Sequence, residues 1–205
     1  MGRTIFSIGI DPDLHHTGLA LLCDGCDVGT ELAVLDVKCI AAAGLKCEAA
    51  VIEMVHQLSI DWFPGSIGIG PVLVTVEAQE LYLGGATKNP RNIMHLAQVA
   101  GAALACATRQ FINPILYFPR PATWKGQVPK QIHQERTLDK LGWPCRRVGT
   151  LKGGYCYPTA SSIVDIARAP LPKTHWKHVV DAMGLALWGL QNAHRSDDCN
   201  YNPIQ

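Results

Sequence analysis

The stretch Ile8-Gly9-Ile10-Asp11-Pro12-Asp13-Leu14-His15-His16-Thr17-Gly18-Leu19-Ala20 closes one apolar run on a carboxylate and opens a second one after a short polar loop. Thr4 to Ile10 has the length and β-branched content of a buried strand, and Asp11-Pro12-Asp13 breaks it. Thr17 to Leu22 is a second strand, and Asp24-Gly25 behind it is a strong hairpin dipeptide. Glu31 to Ile40 alternates enough to be a third. Three strands joined by short turns make an antiparallel meander.

Outward from this meander the periodicity changes. Ala49 to Leu58 places Val51, Ile52, Val55 and Leu58 at helical spacing. Residues 64–71 are a Gly- and Pro-rich loop. Val72 to Val76 is a fourth strand and ends at Glu77. Asn89-Pro90 is an N-cap followed by proline at the first helical position, and the helix runs to about Gln110. Its stripe is Ile93, Leu96, Ala97, Ala100, Leu104 and Ala107, with Gly101 alongside. Pro114 to Phe118 is a fifth strand, and Pro129 to Leu141 is helical. Residues 142–173 read as irregular. The last helix runs from about Thr174 to Ala193 on a stripe of Trp176, Val179, Val180, Met183, Leu187 and Leu190, and the polar tail after His194 reads as frayed. The order predicts an α/β protein with a mixed five-stranded sheet. Strands one to three form the antiparallel meander, strands four and five are parallel, and helices cover both faces. One domain is expected over 1–205, with an irregular basic insertion at about 142–173.

Composition bounds the class. The chain has 205 residues, 48% apolar and 17% charged, and a formal net charge of +1. That is ordinary globular composition, and the longest apolar runs are too short to span a bilayer. The opening residues are too brief for a signal peptide, so a soluble, cytoplasmic protein is expected. The near-zero charge is an average. Residues 1–119 carry a net −5, residues 120–177 a net +8 and residues 178–205 a net −2. A cationic segment set in an acidic body suits a polyanion-binding surface beside an acidic site. Among eight cysteines only Cys23 and Cys26 form C-x-x-C, and they flank the Asp24-Gly25 turn. One such pair falls short of the four ligands of a structural zinc.

The candidate chemistry lies at strand ends. Asp11 ends the first strand and Glu77 the fourth. If those strands are parallel neighbours, both carboxylates emerge at one sheet edge, where open α/β sheets place their sites. His178 and Asp181 are three apart on the last helix and share a face beside the apolar stripe. Three carboxylates and an imidazole at one spot repel unless neutralised. Hard divalent cations such as Mg2+ prefer carboxylate oxygens, and two of them about 4 Å apart can clamp the attacking and leaving oxygens of a phosphodiester. Taken singly, Asp11 also suits a turn, Glu77 a paired surface acid and Asp181 the first turns of a helix.

These residues resemble the RuvC family of Holliday-junction resolvases, within the RNase H-like nucleases. Ile8-Gly-Ile-Asp11-Pro-Asp-Leu-His-His-Thr17-Gly18 is similar to the family's opening I-G-I-D-P-G-…-T-G. Val74-Thr-Val-Glu77 followed by Gln98-Val-Ala-Gly101 is similar to its strand glutamate and Q-x-x-G helix. His178-Val-Val-Asp181-Ala182 is similar to its closing D/H-x-x-D-A. The likeness spans most of the chain apart from about 142–173. It implies an RNase H-like fold in which Asp11, Glu77, His178 and Asp181 are catalytic and bind two Mg2+ ions, with Mn2+ substituting. It implies a homodimer that cuts branched DNA, chiefly four-way junctions, by paired nicks leaving 5′ phosphate and 3′ hydroxyl. Asp13 stands where the family usually has glycine and stays outside the expected ligand set. His178 replaces an aspartate found in many members.

The resemblance also gives the basic segment a role, since lysines in this region contact DNA in the family. Lys125 and Lys130 are the expected phosphate contacts, with Arg120 nearby. Arg146, Arg147 and Lys152 extend the basic surface. Tyr82 lies in the region of a base-stacking aromatic, at a different offset. His15 and His16, on the loop after Asp11, read first as structural, with support of the site from behind as the alternative. Three other classes remain in view. An actin-like ATPase or sugar kinase shares I-G-I-D but needs two large lobes. A DNA-packaging or transposition nuclease usually carries a further domain. A non-catalytic junction-binding protein is disfavoured by the presence of all four candidate ligands.

Overall fold

In a computed structural model of the chain, residues 4–25, 32–42, 44–60, 71–79, 90–150, 153–159 and 171–197 are described. The run ending at Asp11 forms strand β1 (Ile5–Asp11), buried along its whole length. It pairs antiparallel with β2 (His16–Asp24), so that Asp11 stands opposite Gly18. β2 pairs antiparallel with β3 (Leu32–Ala41), with a register shift between Leu21 and Leu22. Helix α1 (Cys47–Ile60) leads to β4 (Val72–Val76), which runs parallel to β1 on its other side. Helix α2 (Pro90–Gln110) crosses to β5 (Ile115–Tyr117), parallel to β4. The sheet order is β3-β2-β1-β4-β5, the meander with two parallel strands that the sequence predicts.

The two-residue period of the strands sorts their side chains between two cores. Phe6, Ile8 and Ile10 of β1 and Val72, Val74 and Val76 of β4 pack with α1 and α2. Leu73 of β4 and Ala20 and Leu22 of β2 pack on the opposite face with the last helix, α5 (Trp176–Asp197). Asp11 and Glu77 inherit the α5 side by the same alternation. Ser7, on that side of β1, donates a 2.8 Å hydrogen bond to the carbonyl of Ala186.

Two glycines let α5 lie this close. A Cβ on Gly9 would sit 1.8 Å from the Ala182 carbonyl oxygen, and one on Gly18 would sit 2.2 Å from that of His178. The helix backbone therefore rests directly on β1 and β2, which sets His178 and Asp181 over the carboxyl end of β1. The far end of α5 is tied by His194, whose Nε2 lies 2.7 Å from Asp24 Oδ2. The helix continues to Asp197, three residues past His194, and the rest of the tail expected to fray lies outside the described residues.

Three elements differ from the sequence reading. On α2 the buried line is His95, Val99, Ala100, Ala103 and Ala107, whereas Ala97 and Gly101 are exposed. A helix this rich in alanine offers two faces of similar polarity, and only the neighbouring helix selects one. His178 and Asp181 do not lie beside the core: both are buried, Asp181 to 1% exposure. Residues 145–158 include ordered structure. β6 (Cys145–Val148) and β7 (Tyr155–Pro158) form an antiparallel pair, preceded by helices α3 (Pro121–Trp124) and α4 (Lys130–Lys140). Four-residue strands containing Arg146, Arg147 and Pro158 are too short and too mixed to show alternation. The turn between them needs glycine, because Gly149 has φ of 80° and a Cβ on Gly154 would sit 2.4 Å from the Val148 carbonyl oxygen. No helix of the described residues is long and apolar enough to cross a membrane.

Candidate active site

Parallel pairing of Ile10 with Val76 brings Asp11 and Glu77 level at one sheet edge, and the Glu77 amide donates to the Ile10 carbonyl at 3.2 Å. From α5, His178 Nδ1 lies 3.0 Å from Asp11 Oδ2. Asp181 stands one helical turn further on. The four residues expected to hold metal thus gather on one side of the sheet, three of them within the buried set.

Each acid is engaged from outside the sheet. Trp124 Nε1 donates to Glu77 Oε2 at 2.8 Å, and Lys125 Nζ reaches the same oxygen at 3.1 Å. The Lys125 ammonium also lies 4.9 Å over the Trp124 ring. Lys130 forms an ion pair with Asp181 Oδ2. Gln134, one turn along α4 from Lys130, donates to Asp181 Oδ1 at 2.8 Å and to the Lys177 carbonyl at 2.7 Å. Its amide oxygen accepts from the Cys156 amide of β7 at 2.9 Å. One fully buried side chain therefore joins the hairpin to the site. Sequence reasoning passed over Gln134; its i, i+4 spacing from Lys130 is the signal that marks it.

The electrostatics follow from burial of like charges. Burial pushes the Asp11 carboxyl upward; the His178 hydrogen bond offsets part of this and the charge of Asp181 adds to it. Burial, then the charge of Asp11, pushes Glu77 up to about 7 against the pull of Lys125. Burial alone would depress Lys130, but the charges of Asp181, Asp11 and Glu77 outweigh it and hold the ammonium above the usual lysine range. Burial first, and then the charges of neighbouring acids, disfavour ionised carboxylates at Asp11 and Glu77. That donor set suits hard divalent cations, and Asp11, Glu77, His178 and Asp181 are the residues that would hold them.

The remaining candidates are placed as follows. Arg120 is exposed just ahead of α3. Tyr82, Asn89, Lys152 and Cys26 lie outside the described residues. Arg147 pairs with Glu135 of α4. Asp13 and His16 stand closer to the centre than the sequence reading put them. Among the described residues, the group of three His, Cys, Asp or Glu side chains whose ligand atoms lie within 4.8 Å of one another is Asp13, His16 and His178.

No protein-family model matches the chain, and no curated protein matches it in sequence. Solved structures do. The chain is similar to a structure of RuvC from Thermus thermophilus, with a TM-score of 0.57, 16% identity, and coverage of 95% of this chain and 97% of that one. It is also similar to T. thermophilus RuvC in complex with a Holliday junction substrate, with a TM-score of 0.51, 16% identity, and coverage of 95% and 96%. The mixed sheet of order β3-β2-β1-β4-β5 with helices on both faces is that of an RNase H-like fold. Within that class the chain has the RuvC-like form over nearly its whole length.

Proposed function

We propose that the protein is a metal-dependent, structure-selective endodeoxyribonuclease that resolves four-way DNA junctions by paired nicks, leaving 5′ phosphate and 3′ hydroxyl ends. The observation that carries this is the meeting of Asp11, Glu77, His178 and Asp181 at the carboxyl ends of β1 and β4. They meet on a fold shared with a protein whose structure holds a Holliday junction substrate.

In this reading Asp11, Glu77, His178 and Asp181 hold two Mg2+ or Mn2+ ions. Bound there, the ions supply activation of the attacking water and stabilisation of the leaving 3′ oxygen. The chain's own residues do the positioning. The His178 ring aligns the Asp11 carboxylate. Trp124 turns one Glu77 oxygen toward α3 and leaves the other for the site. Gln134 fixes the rotamer of Asp181. Lys125 and Lys130 present ammonium groups beside the acids, where a scissile phosphate meets positive charge without base recognition. Arg120 and Tyr82 extend the DNA contact. Paired nicking on opposing strands requires two active sites, so the working form is a homodimer.

The test is cleavage of synthetic four-way, three-way and linear duplex DNA of matched arm sequence, with and without Mg2+ or Mn2+. Metal-dependent cutting confined to the branched substrates is the expected result. Equal cutting of all three rejects junction selectivity and keeps the nuclease. No cutting of any, with four-way junctions still bound, rejects the enzyme.

A further inference from the structure

We propose that Asp13, His16 and His178 form a binding site for a transition-metal ion of the Zn2+, Co2+ or Ni2+ type, next to the carboxylate centre and in competition with it for the one ring nitrogen of His178 that the Asp11 contact leaves open. The three side chains come from three places: the loop after β1, the first residue of β2 and the first turns of α5. Each offers one ligand atom, and the three atoms lie within 4.8 Å of one another. Metal–nitrogen and metal–oxygen bonds of about 2.0–2.2 Å allow an ion between such atoms after small side-chain adjustments.

The loop is built to present these groups. Asp13 Oδ1 accepts from the amides of His15 at 2.8 Å and His16 at 3.1 Å, which leaves Oδ2 for another partner. Thr17 Oγ1 closes the same turn, donating to the Asp13 carbonyl at 3.0 Å and accepting from its amide at 3.2 Å. The His16 ring stacks on that of His178, with centroids 5.9 Å apart and planes 15° apart. Neither ring nitrogen of His16 has a hydrogen-bond partner among the described residues. A broad open depression, with Lys177 and Leu45 on its other side, adjoins the group, so an ion and its remaining water ligands have room.

The donor set selects the ion. Two imidazoles and one carboxylate suit borderline transition metals, whereas Mg2+ is better matched by the carboxylate-rich centre beside them. His178 already carries the outer partner that ligating histidines usually have, since its Nδ1 lies against Asp11. The hydrogen bonds that shape the Asp13 loop use one carboxylate oxygen and leave the other, and the His16 ring, in contact with the rings of His175 and His178, keeps its nitrogens for a ligand.

The site is tested by Co2+ titration of the full chain, with bound metal measured by equilibrium dialysis and visible absorption in millimolar Mg2+. One Co2+ per chain is expected, not displaced by Mg2+. His16→Ala and Asp13→Asn should each weaken binding at least tenfold, while Glu77→Gln, which alters only the carboxylate centre, should change it less than threefold. Unaltered binding in His16→Ala overturns the proposal. An equal loss in Glu77→Gln also overturns it, because the ion then sits among the carboxylates. Should the loop variants fail to fold, Cu2+ electron paramagnetic resonance on the unaltered protein decides: coupling to two imidazole nitrogens is expected, and coupling to fewer overturns the site. None of these readouts uses DNA cleavage, so the nuclease reading stands or falls separately.

Discussion

His178 Nδ1 and Asp11 Oδ2 lie 3.0 Å apart, although 167 residues separate them in the chain. The contact joins the first strand to the last helix, and it exists because Gly18 lets the backbone of His178 settle on β2. A residue that organises the fold here also organises the acids, so stability and chemistry can be separated only by substitutions that keep shape and change charge.

Asp11→Asn is such a change. The isosteric amide keeps the contact with His178 and removes a carboxylate that burial already disfavours. Thermal melting should show no loss of stability. Metal-dependent cleavage should fall by at least about a hundredfold, since a cation site loses a charged ligand, while gel-shift affinity for a four-way junction persists. Full cleavage by this variant would remove Asp11 from the centre.

Glu77 gives a pH dependence with a defined sign. Its folded value of about 7 lies above the ordinary 4.5. Between those two values the native chain keeps a proton that the unfolded chain has lost, so stability falls as pH rises through the window. The loss from this group is at most about 3 kcal/mol, and the raised Asp11 acts in the same direction. Melting in chelator should therefore give a higher midpoint at pH 5 than at pH 8, and Glu77→Gln should flatten the difference. An unchanged difference in that variant assigns the slope elsewhere.

Lys125 and Lys130 are bonded to Glu77 and Asp181, rather than standing free on the surface. Lys130→Ala should lower the cleavage rate at saturating junction by tenfold or more and change junction affinity less than about threefold. The opposite pattern, a large loss of affinity and a flatter salt dependence with the rate intact, would make Lys130 an ordinary phosphate contact.

Gly9 and Gly101 contrast. A Cβ at Gly9 meets the Ala182 carbonyl at 1.8 Å, whereas a Cβ at Gly101 meets nothing within 4 Å among the described residues. Gly9→Ala should cost about 3 kcal/mol or more in urea unfolding, because α5 must lift off the sheet. Gly101→Ala should gain up to about 1 kcal/mol through helix propensity. A destabilised Gly101→Ala would mean that this face of α2 is covered in solution.

Gln134→Ala breaks the link between hairpin and site. Its hydrogen bonds to Asp181 and Cys156 are both buried, and each orphaned group costs about 1–3 kcal/mol. Hydrogen exchange at the Cys156 amide should accelerate together with a loss of cleavage. Unchanged exchange would show that the hairpin is held by other bonds.

Much of this was legible in the chain. Asp11 and Glu77 each follow a run of apolar residues and stop it, so strand, strand end and carboxylate are local facts that period-2 patterning carries. Three spaced motifs also point to the RNase H-like class without any coordinates. The selection of faces was not local. Ala97, Gly101 and Ala103 suit either side of α2, and it is packing against α1 and β4 that buries Ala103 while Ala97 and Gly101 stay exposed among the described residues. The burial of Asp181 was equally hidden, because α4 and its Gln134 come from a segment with no strong apolar period. The arrival of His16 and Asp13 beside His178 depends on a close approach between β2 and α5 that two glycines permit but do not announce. Sequence alone determined the strand order of the meander and placed Asp11 and Glu77 at strand ends, since those follow from side-chain alternation and turn chemistry. The tertiary structure decided which groups face each acid, because that depends on how closely one backbone can pack on another.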